Sequence, residues 1–202
     1  MIGIVDYGMG NLRSLKNAID YLGIDVEVVA DAELLGGFSH LALPGVGAFG
    51  RAMEHIRARG LDAPLREHVR AGKPLLGICL GMQLLASRSF EFGEHEGLGF
   101  VPGQVVPFHA SVEFPVPHVG WNTIERKRAH PLLEGAKEGV DYYFVHSFHF
   151  HVEDAADRIA TTGYGIEFAS VVGRGNVIGF QFHPEKSQAG GLALLERFAA
   201  WG

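Results

Sequence analysis

The stretch Pro74-Leu75-Leu76-Gly77-Ile78-Cys79-Leu80-Gly81 decides the fold of this chain. Pro74 to Ile78 is a short apolar run that predicts a buried strand, and Leu80 to Ala86 predicts a short helix directly behind it. The glycines two residues before and after Cys79 give the spacing G-x-C-x-G, which allows a sharp turn from strand to helix. We therefore expect Cys79 at the carboxyl end of a strand in an α/β fold.

Strands and helices alternate through the first half of the chain. Amphipathic spacing predicts a helix from Leu12 to Leu22, which Asn11 can cap and Gly23 ends. This alternation favours a parallel sheet with helices on both faces and right-handed crossovers. The predicted strands are Ile2 to Val5, Asp25 to Val29, Leu41 to Leu43 and Pro74 to Ile78, and a further helical stretch covers Arg51 to Val69, with interruptions near Gly60 and Pro64.

The second half changes to short β-like pieces separated by turns. Arg174-Gly175-Asn176 has the composition of a hairpin turn, and Gly190 to Ala200 closes the chain as a helix. The predicted fold class is α/β: an open, mostly parallel sheet flanked by helices, with additional antiparallel strands in the second half and a single domain over residues 1–202. The β-like pieces are Val105-Val106, Val119-Gly120-Trp121, Tyr142 to Val145, Ile159 to Thr161, Phe168 to Val172 and Val177 to Phe182.

Composition argues against several classes of protein. Apolar residues make up 47% of the 202 residues and charged residues 20%, which is typical of a globular domain. A net charge of −6 argues against nucleic acid as a partner. No apolar stretch approaches the about 18 residues of a membrane span, and the N-terminus has no leader pattern, so we expect no membrane partner. Because Cys79 is the only cysteine, we expect no disulfide and a reducing, cytoplasmic location.

Cys79 carries the strongest chemical signal. A thiolate at the start of a helix is stabilised by unpaired backbone N–H groups, and the amide of Leu80 is placed to stabilise an oxyanion. These features favour a nucleophile. The alternative is a small buried cysteine that packs between strand and helix, which is common for free cysteines.

A thiol nucleophile needs a base, and the base needs an orienting group. Among eleven histidines, His183 stands out because it follows an apolar strand and precedes Pro184, which keeps it extended. Residues at i and i+2 of an extended segment face the same side, so Glu185 is predicted to hold the imidazole of His183. The alternatives are an exposed strand end, and a triad built on an aspartate, for which nothing in the spacing argues.

Two other features of the sequence are weaker candidates for a functional site. His146, His149 and His151 include an i, i+2 pair that is compatible with a metal site, but no carboxylate or cysteine lies at a matching offset. Surface or interface histidines are the preferred interpretation, with no metal and no cofactor. The loop Pro44-Gly45-Val46-Gly47 follows a strand end, where its N–H groups are placed to complete an oxyanion hole. A plain turn is the alternative, and the loop lacks the phosphate-binding glycine patterns.

Several stretches together resemble the class I (triad) glutamine amidotransferases, over nearly the whole chain. Leu76 to Gln83 and His183 to Ser187 carry the class resemblance. Four further stretches are similar to the branch formed by the glutaminase subunits of imidazole glycerol phosphate synthase, in histidine biosynthesis. They are Ile4 to Leu12, Leu43 to Phe49, Pro117 to Asn122 and Tyr143 to Ser147.

The resemblance implies hydrolysis of glutamine to glutamate and ammonia through a glutamyl thioester. Cys79 is then the nucleophile, His183 the acid and base, and Glu185 its orienting group. The implied oxyanion donors are the amides of Leu80 and Val46. The implied substrate-binding residues are Gly47, Gln83, Glu91, Ser147 and Phe148, and the implied interface residues are Asn11, Trp121 and Asn122.

The resemblance also implies a partner, a (β/α)8-barrel cyclase subunit that receives the ammonia and makes imidazole glycerol phosphate and an aminoimidazole carboxamide ribotide. A peptide flip in the loop around Val46 would switch the glutaminase between a resting and an active state, because glycines make such a rotation cheap. Two alternatives stay open: a glutaminase subunit that serves another synthase, such as the pyridoxal phosphate one, and a catalytically silent scaffold subunit.

Overall fold

The computed structural model describes residues 1–111 and 113–202, and these residues form a mixed sheet with helices on both faces. The helices are α1 (Leu12–Tyr21), α2 (Phe49–Ala58), α3 (Asp62–Arg70), α4 (Leu80–Leu84) and α5 (Gln188–Ala199). The strands are β1 (Ile2–Val5), β2 (Val26–Val29), β3 (His40–Gly45), β4 (Leu75–Cys79), β5 (Arg88–Ser89), β6 (His95–Glu96), β7 (Gly103–Pro107), β8 (His118–Thr123), β9 (Glu125–Arg126), β10 (Asp141–His146), β11 (Phe148–Val152), β12 (Arg158–Tyr164), β13 (Ile166–Arg174) and β14 (Val177–Phe180).

The strand order of the large sheet is β2-β1-β3-β4-β14-β13-β11-β7-β5-β6, and β12 pairs with β13 and β9. Its first five strands are parallel throughout. From β13 onward the pairing is mainly antiparallel, which places the antiparallel strands in the second half of the chain. The predicted fold class is confirmed. Strands β8 and β10 form a separate two-stranded antiparallel ribbon.

Apolar side chains cover both faces of the sheet. One face packs against α2 and α3, and the other packs against α1 and α5. Every residue of β4 is buried, as expected for a central strand of a parallel sheet. Burying one large aliphatic side chain stabilises the fold by about 1.5–3 kcal/mol, so these two layers supply much of the stability of the sheet.

Several predicted boundaries need correction. Pro64 does not interrupt a helix, because it lies in the first turn of α3. Backbone N–H groups in a first turn have no partner within the helix, so the missing N–H of proline costs no hydrogen bond. The break falls instead at Gly60, which has a φ of +66°. Asn11 precedes α1, but its side chain makes no capping hydrogen bond, so the predicted cap is wrong. The predicted hairpin is confirmed: Arg174 pairs with Val177 across a two-residue turn.

The topology brings three segments together at the carboxyl ends of neighbouring central strands. Strand β4 lies between β3 and β14, with Gly45 opposite Cys79 and Phe180 opposite Ile78. The loop after β3, the turn after β4 and the segment after β14 therefore meet at the carboxyl ends of parallel strands, where ligands bind in open α/β sheets. In the part of the chain that the structure describes, no helix is long and apolar enough to cross a membrane.

Candidate active site

Cys79 lies at a sharp turn between β4 and α4. Its φ of 55° and ψ of −111° are unusual for a residue with a side chain, and such strain costs about 1–3 kcal/mol. The two flanking glycines allow the turn because they let backbone approach backbone: a methyl group on Gly77 would lie 2.6 Å from the carbonyl oxygen of Gly81, and one on Gly81 would overlap the carbonyl oxygen of Leu43. The sulfur of Cys79 thus lies at the carboxyl end of the central strand β4. Close packing of the backbone around the two glycines holds the turn in this conformation.

His183 and Glu185 form a buried pair next to this turn. The Nδ1 atom of His183 lies 2.8 Å from Oε1 of Glu185, and both side chains are almost fully buried. The predicted contact is present, but its predicted geometry is wrong, because Pro184–Lys186 is a turn of 3-10 helix and not an extended segment. The backbone N–H of His183 donates to Tyr143 O at 2.9 Å, and the hydroxyl of Ser187 donates to His183 O at 2.6 Å, which holds the turn in place.

The surroundings of His183 favour its charged form. Burial lowers the pKa of His183, but the neighbouring Cys79 and Glu185 outweigh burial and raise the pKa to about 9. The Nε2 atom of His183 is buried and has no hydrogen-bond partner among the described residues. A cationic imidazole with a free N–H is therefore available beside the Cys79 sulfur.

A cavity of about 480 Å³ opens over Cys79, which is within the usual range for small-molecule sites. Nine of the ten predicted catalytic, oxyanion and substrate-binding residues line it, and the tenth, Glu185, lies behind His183. The three predicted interface residues, Asn11, Trp121 and Asn122, are outside it. The lining residues are Val46, Gly47, Cys79, Leu80, Gln83, Glu91, Phe92, Pro117, Val145, His146, Ser147, Phe148 and His183.

Two polar side chains in the cavity are anchored by backbone groups. Glu91 accepts a hydrogen bond from the N–H of Phe49, the first residue of α2, at 2.5 Å. Burial raises the pKa of Glu91, and this hydrogen bond opposes the rise. The amide nitrogen of Gln83 donates to Phe148 O at 3.2 Å and to Oε1 of Gln181 at 3.1 Å. Both side chains therefore present fixed polar atoms to a ligand.

The loop after β3 is held by the loop after β1. The N–H of Val46 donates to Met9 O at 3.4 Å, so in this state it is engaged away from Cys79. Gly47 has a φ of +100°, and Tyr7 lies under Gly45 with a buried hydroxyl that has no hydrogen-bond partner in the described part of the chain. Of the two predicted oxyanion donors, the Val46 amide thus has a competing acceptor.

The family model for the class I glutamine amidotransferases matches residues 3–200. The chain belongs to this family. A solved glutamine amidotransferase superposes with a TM-score of 0.76 at 25% identity, covering 99% of both chains. PurLQS from Thermotoga maritima superposes with a TM-score of 0.77 at 19% identity, covering 98% of this chain and 96% of that chain, and this likeness bears on the fold alone.

Curated relatives within the amidotransferase family are similar over almost their whole length. Imidazole glycerol phosphate synthase subunit HisH of Rhodopirellula baltica is 49% identical over 199 residues, which cover 98% of this chain and 97% of that protein. The subunit of the same name from Sulfurimonas denitrificans is 50% identical over 204 residues, which cover 100% and 98%. The one from Aquifex aeolicus is 47% identical over 196 residues, which cover 96% and 94%.

Sequence reasoning missed two residues of this amidotransferase site. Gln181 accepts from Gln83, and its amide nitrogen lies 4.0 Å from the sulfur of Cys79. The available signal was a single polar residue within the apolar run Val177 to Phe182. Tyr7 was also missed, because nothing in the sequence shows that the hydroxyl of this tyrosine, in the loop after β1, lies beneath Gly45 at the end of the neighbouring strand β3.

The histidines near the amidotransferase site also differ from expectation. The preferred interpretation was surface or interface histidines. The surface alternative is wrong for His146 and His149, which are buried, whereas His151 is exposed. They are buried because the inner side of β10 and the neighbouring part of β11 face an aromatic cluster around Phe108. Within residues 1–111 and 113–202, no three His, Cys, Asp or Glu side chains are grouped so as to hold a metal ion.

Proposed function

We propose that this chain is the glutaminase subunit of an imidazole glycerol phosphate synthase. It hydrolyses glutamine to glutamate and ammonia, in a single domain, and acts in histidine biosynthesis. The observation that carries the proposal is that Cys79 and His183 line one cavity with Glu185 bound to His183 from behind, in a chain nearly half identical to such subunits.

In the proposed reaction, the thiolate of Cys79 attacks the side-chain amide carbon of glutamine, and the carbonyl oxygen becomes an oxyanion. His183 then donates a proton to the departing nitrogen, which leaves as ammonia, and a thioester remains on the sulfur. The neutral His183 takes a proton from water, and the resulting hydroxide attacks the thioester. Glutamate and the thiolate are released, and Glu185 holds the imidazole in one orientation throughout.

The cavity also offers binding groups for the rest of the substrate. Glu91 supplies a carboxylate for the α-ammonium group, while the backbone of Ser147 and Phe148, near Gly47, receives the α-carboxylate. Gln83 contacts the thioester end of the cavity. The amides of Leu80 and Val46 donate to the oxyanion.

The ammonia requires an acceptor protein, since ammonia released into water is converted mostly to ammonium. We assign this role to a (β/α)8-barrel cyclase subunit that forms a heterodimer with this chain in the cytoplasm and makes imidazole glycerol phosphate and the aminoimidazole carboxamide ribotide. Val119, Trp121 and Val145 supply an exposed apolar surface beside the cavity for docking. Asn11 and Asn122 are the other two proposed interface residues.

The decisive experiment measures glutamate release by the purified chain alone and then with the cyclase subunit and its nucleotide ligand. Weak activity alone and strong stimulation in the complete mixture is the expected result. Stimulation only by the pyridoxal phosphate synthase barrel would assign the chain to that synthase. No release with the complex verified as formed would contradict the proposed function and favour a silent subunit.

Replacing Gly47 with alanine is expected to reduce the stimulation by the cyclase about 5- to 30-fold. A side chain at a φ of +100° is strained by about 1–2 kcal/mol, and this strain biases the loop that must turn the Val46 N–H from Met9 O toward the oxyanion. Gly45→Ala is a less clean test, because its methyl group would overlap the hydroxyl of Tyr7. The ratio of stimulated to unstimulated glutamate release is the measurement.

Gly37→Ala is the matched control for this loop variant, since a methyl group at Gly37 meets no atom within 4 Å and its φ is not positive. It should leave the ratio as it is in the unaltered chain. An unchanged ratio in Gly47→Ala would rule out rotation of this loop as the switch.

Glu185→Gln is expected to lower the rate of glutamate release by about 10²-fold or more and to move its pH dependence. The pKa of His183 is raised to about 9, so the imidazolium is present at neutral pH and is lost as the pH rises through 9. Release by the unaltered complex should therefore decline above about pH 9. Removal of the carboxylate charge lowers the pKa of His183, which moves the decline to lower pH.

The pH profile of kcat, measured with stimulating ligand present, checks this prediction. Glu196→Gln, an exposed position on α5, serves as the control and should keep the profile of the unaltered complex. A Glu185→Gln profile that declines at the same pH would mean that Glu185 does not set the charge of His183.

A further inference from the structure

The ribbon of β8 and β10 has two different faces. His118 lies directly opposite His146 across the two strands. Side chains alternate along both strands, so that Val119, Trp121 and Val145 are exposed at 54%, 48% and 36% while the two histidines are buried. The ribbon therefore separates an outer apolar surface from an inner polar pair beside the cavity.

Hydrogen bonds fix the positions of the protons on this pair. The Nδ1 atom of His146 lies 2.7 Å from Phe148 O, and a carbonyl oxygen only accepts, so Nδ1 carries the hydrogen. In a neutral ring Nε2 of His146 is then an acceptor, and Nδ1 of His118, 3.0 Å away, must donate to it. Nε2 of His118 is left to accept from the side-chain amide of Asn122 at 3.4 Å. Each donor in this chain of bonds has an acceptor.

The surroundings keep both rings neutral and in place. Burial lowers the pKa of His118 to about 4 and that of His146 to about 3, so neither is charged at neutral pH. The ring of His118 is stacked against Tyr164 at 4.0 Å and against Phe144 at 5.0 Å, measured between ring centroids. The hydrogen bonds therefore allow one arrangement of hydrogens on the two rings, and the stacking fixes the plane of the His118 ring.

The chain of bonds ends on the wall of the cavity. Phe148 O accepts from His146 and also from the side-chain amide of Gln83, which uses both acceptor sites of this carbonyl. His146 and Phe148 both line the cavity. At the other end, the side-chain amide of Asn122 also donates to Gly163 O at 3.0 Å, which ties the ribbon to the large sheet.

We propose that His118 and His146 are positioning residues for glutamine: through their hydrogen bonds they orient the Ser147–Phe148 backbone and connect it to the docking ribbon. This role rests on the proposed function, in which that backbone receives the α-carboxylate. Neither histidine takes part in proton transfer. Their contribution is to binding, so its loss weakens substrate affinity more than it slows the chemical steps.

His118→Phe tests the role, because phenylalanine keeps a flat stacking ring and removes both nitrogen atoms. In the complex with the cyclase subunit and its ligand, KM for glutamine should rise about 5- to 30-fold, the effect of a lost buried hydrogen bond, while kcat changes less than about three-fold. In His118→Asn the amide nitrogen takes the place of Nδ1 and donates to His146, so KM should return most of the way to that of the unaltered chain.

His149→Phe is the matched control. His149 is a buried histidine of the same aromatic cluster, with its ring centroid 4.7 Å from that of Phe108, but it makes no hydrogen bond to His118 or His146. KM for glutamine should be unchanged in this variant. A rise in KM as large as that of His118→Phe would overturn the proposal, because general loosening of the cluster would then explain both.

A measurement that does not depend on enzyme activity determines which nitrogen of each histidine carries the hydrogen. Long-range proton–nitrogen NMR spectra of the purified chain should show both rings as neutral Nδ1–H tautomers. Nε2–H tautomers would overturn the chain of hydrogen bonds even if the variants fold poorly. An unchanged KM in His118→Phe, with glutamate release intact, would overturn this positioning role alone, whereas absence of release from the unaltered complex would overturn the proposed function.

Discussion

Replacing Cys79 with serine should abolish glutamate release by the complex, with a loss of at least about 10³-fold. Serine occupies nearly the same volume, so the strained turn and the cavity are kept. Its hydroxyl is far less acidic than a thiol, so the variant does not form the anion that attacks the amide carbon of glutamine. Glutamate release under saturating glutamine, with the cyclase ligand present, is the measurement.

The same variant should still support synthesis when ammonium salts replace glutamine, since the proposed function places the ammonia acceptor on the partner. This control shows that the complex has formed and that only the glutaminase step is missing. Glutamate release that survives Cys79→Ser would mean that another group is the nucleophile.

Replacing Gly81 with alanine should lower the free energy of unfolding by about 3 kcal/mol, the largest stability effect expected for a single methyl group in this chain. The added carbon would overlap the carbonyl oxygen of Leu43 in β3, which is a backbone atom of a central strand. Helix α4 must then move away from the sheet, and Cys79 moves with it, so activity falls as well. Urea denaturation at fixed pH gives the free energy.

Gly36→Ala provides the comparison, because a methyl group there meets nothing within 4 Å and the φ is not positive. Its unfolding midpoint should differ little from that of the unaltered chain. A Gly81→Ala midpoint equal to that of Gly36→Ala would show that close approach of α4 to β3 is not required.

Features that depend on a short piece of chain were predictable. The turn at Cys79 follows from two glycines after an apolar run, and the contact of His183 with Glu185 follows from their separation. The local geometry of that pair was not predictable in the same way. Pro184 begins a 3-10 turn, a position where the missing N–H of proline costs no hydrogen bond. This turn brings the side chains of His183 and Glu185 into contact, as an extended strand would also have done.

Features that depend on packing between distant segments could not be predicted from the chain alone. The i, i+2 spacing of His149 and His151 indicates a shared face of a strand, but not whether an aromatic cluster covers it. The partner of the Val46 N–H depends on how the loops after β1 and β3 lie against each other. Gln181 reaches Cys79 only because β14 pairs with β4.

The place of β14 in the sheet has a consequence for biosynthesis of the protein. A ribosome makes β4 early and β14 near the end, yet β14 lies between β4 and β13. Until β14 emerges, the nascent chain carries its thiol without its histidine, and one edge of β4 stays unpaired and open to aggregation. Unfinished chains are therefore unable to consume glutamine, and chaperones that shield strand edges should be needed most before residues 177–180 leave the ribosome.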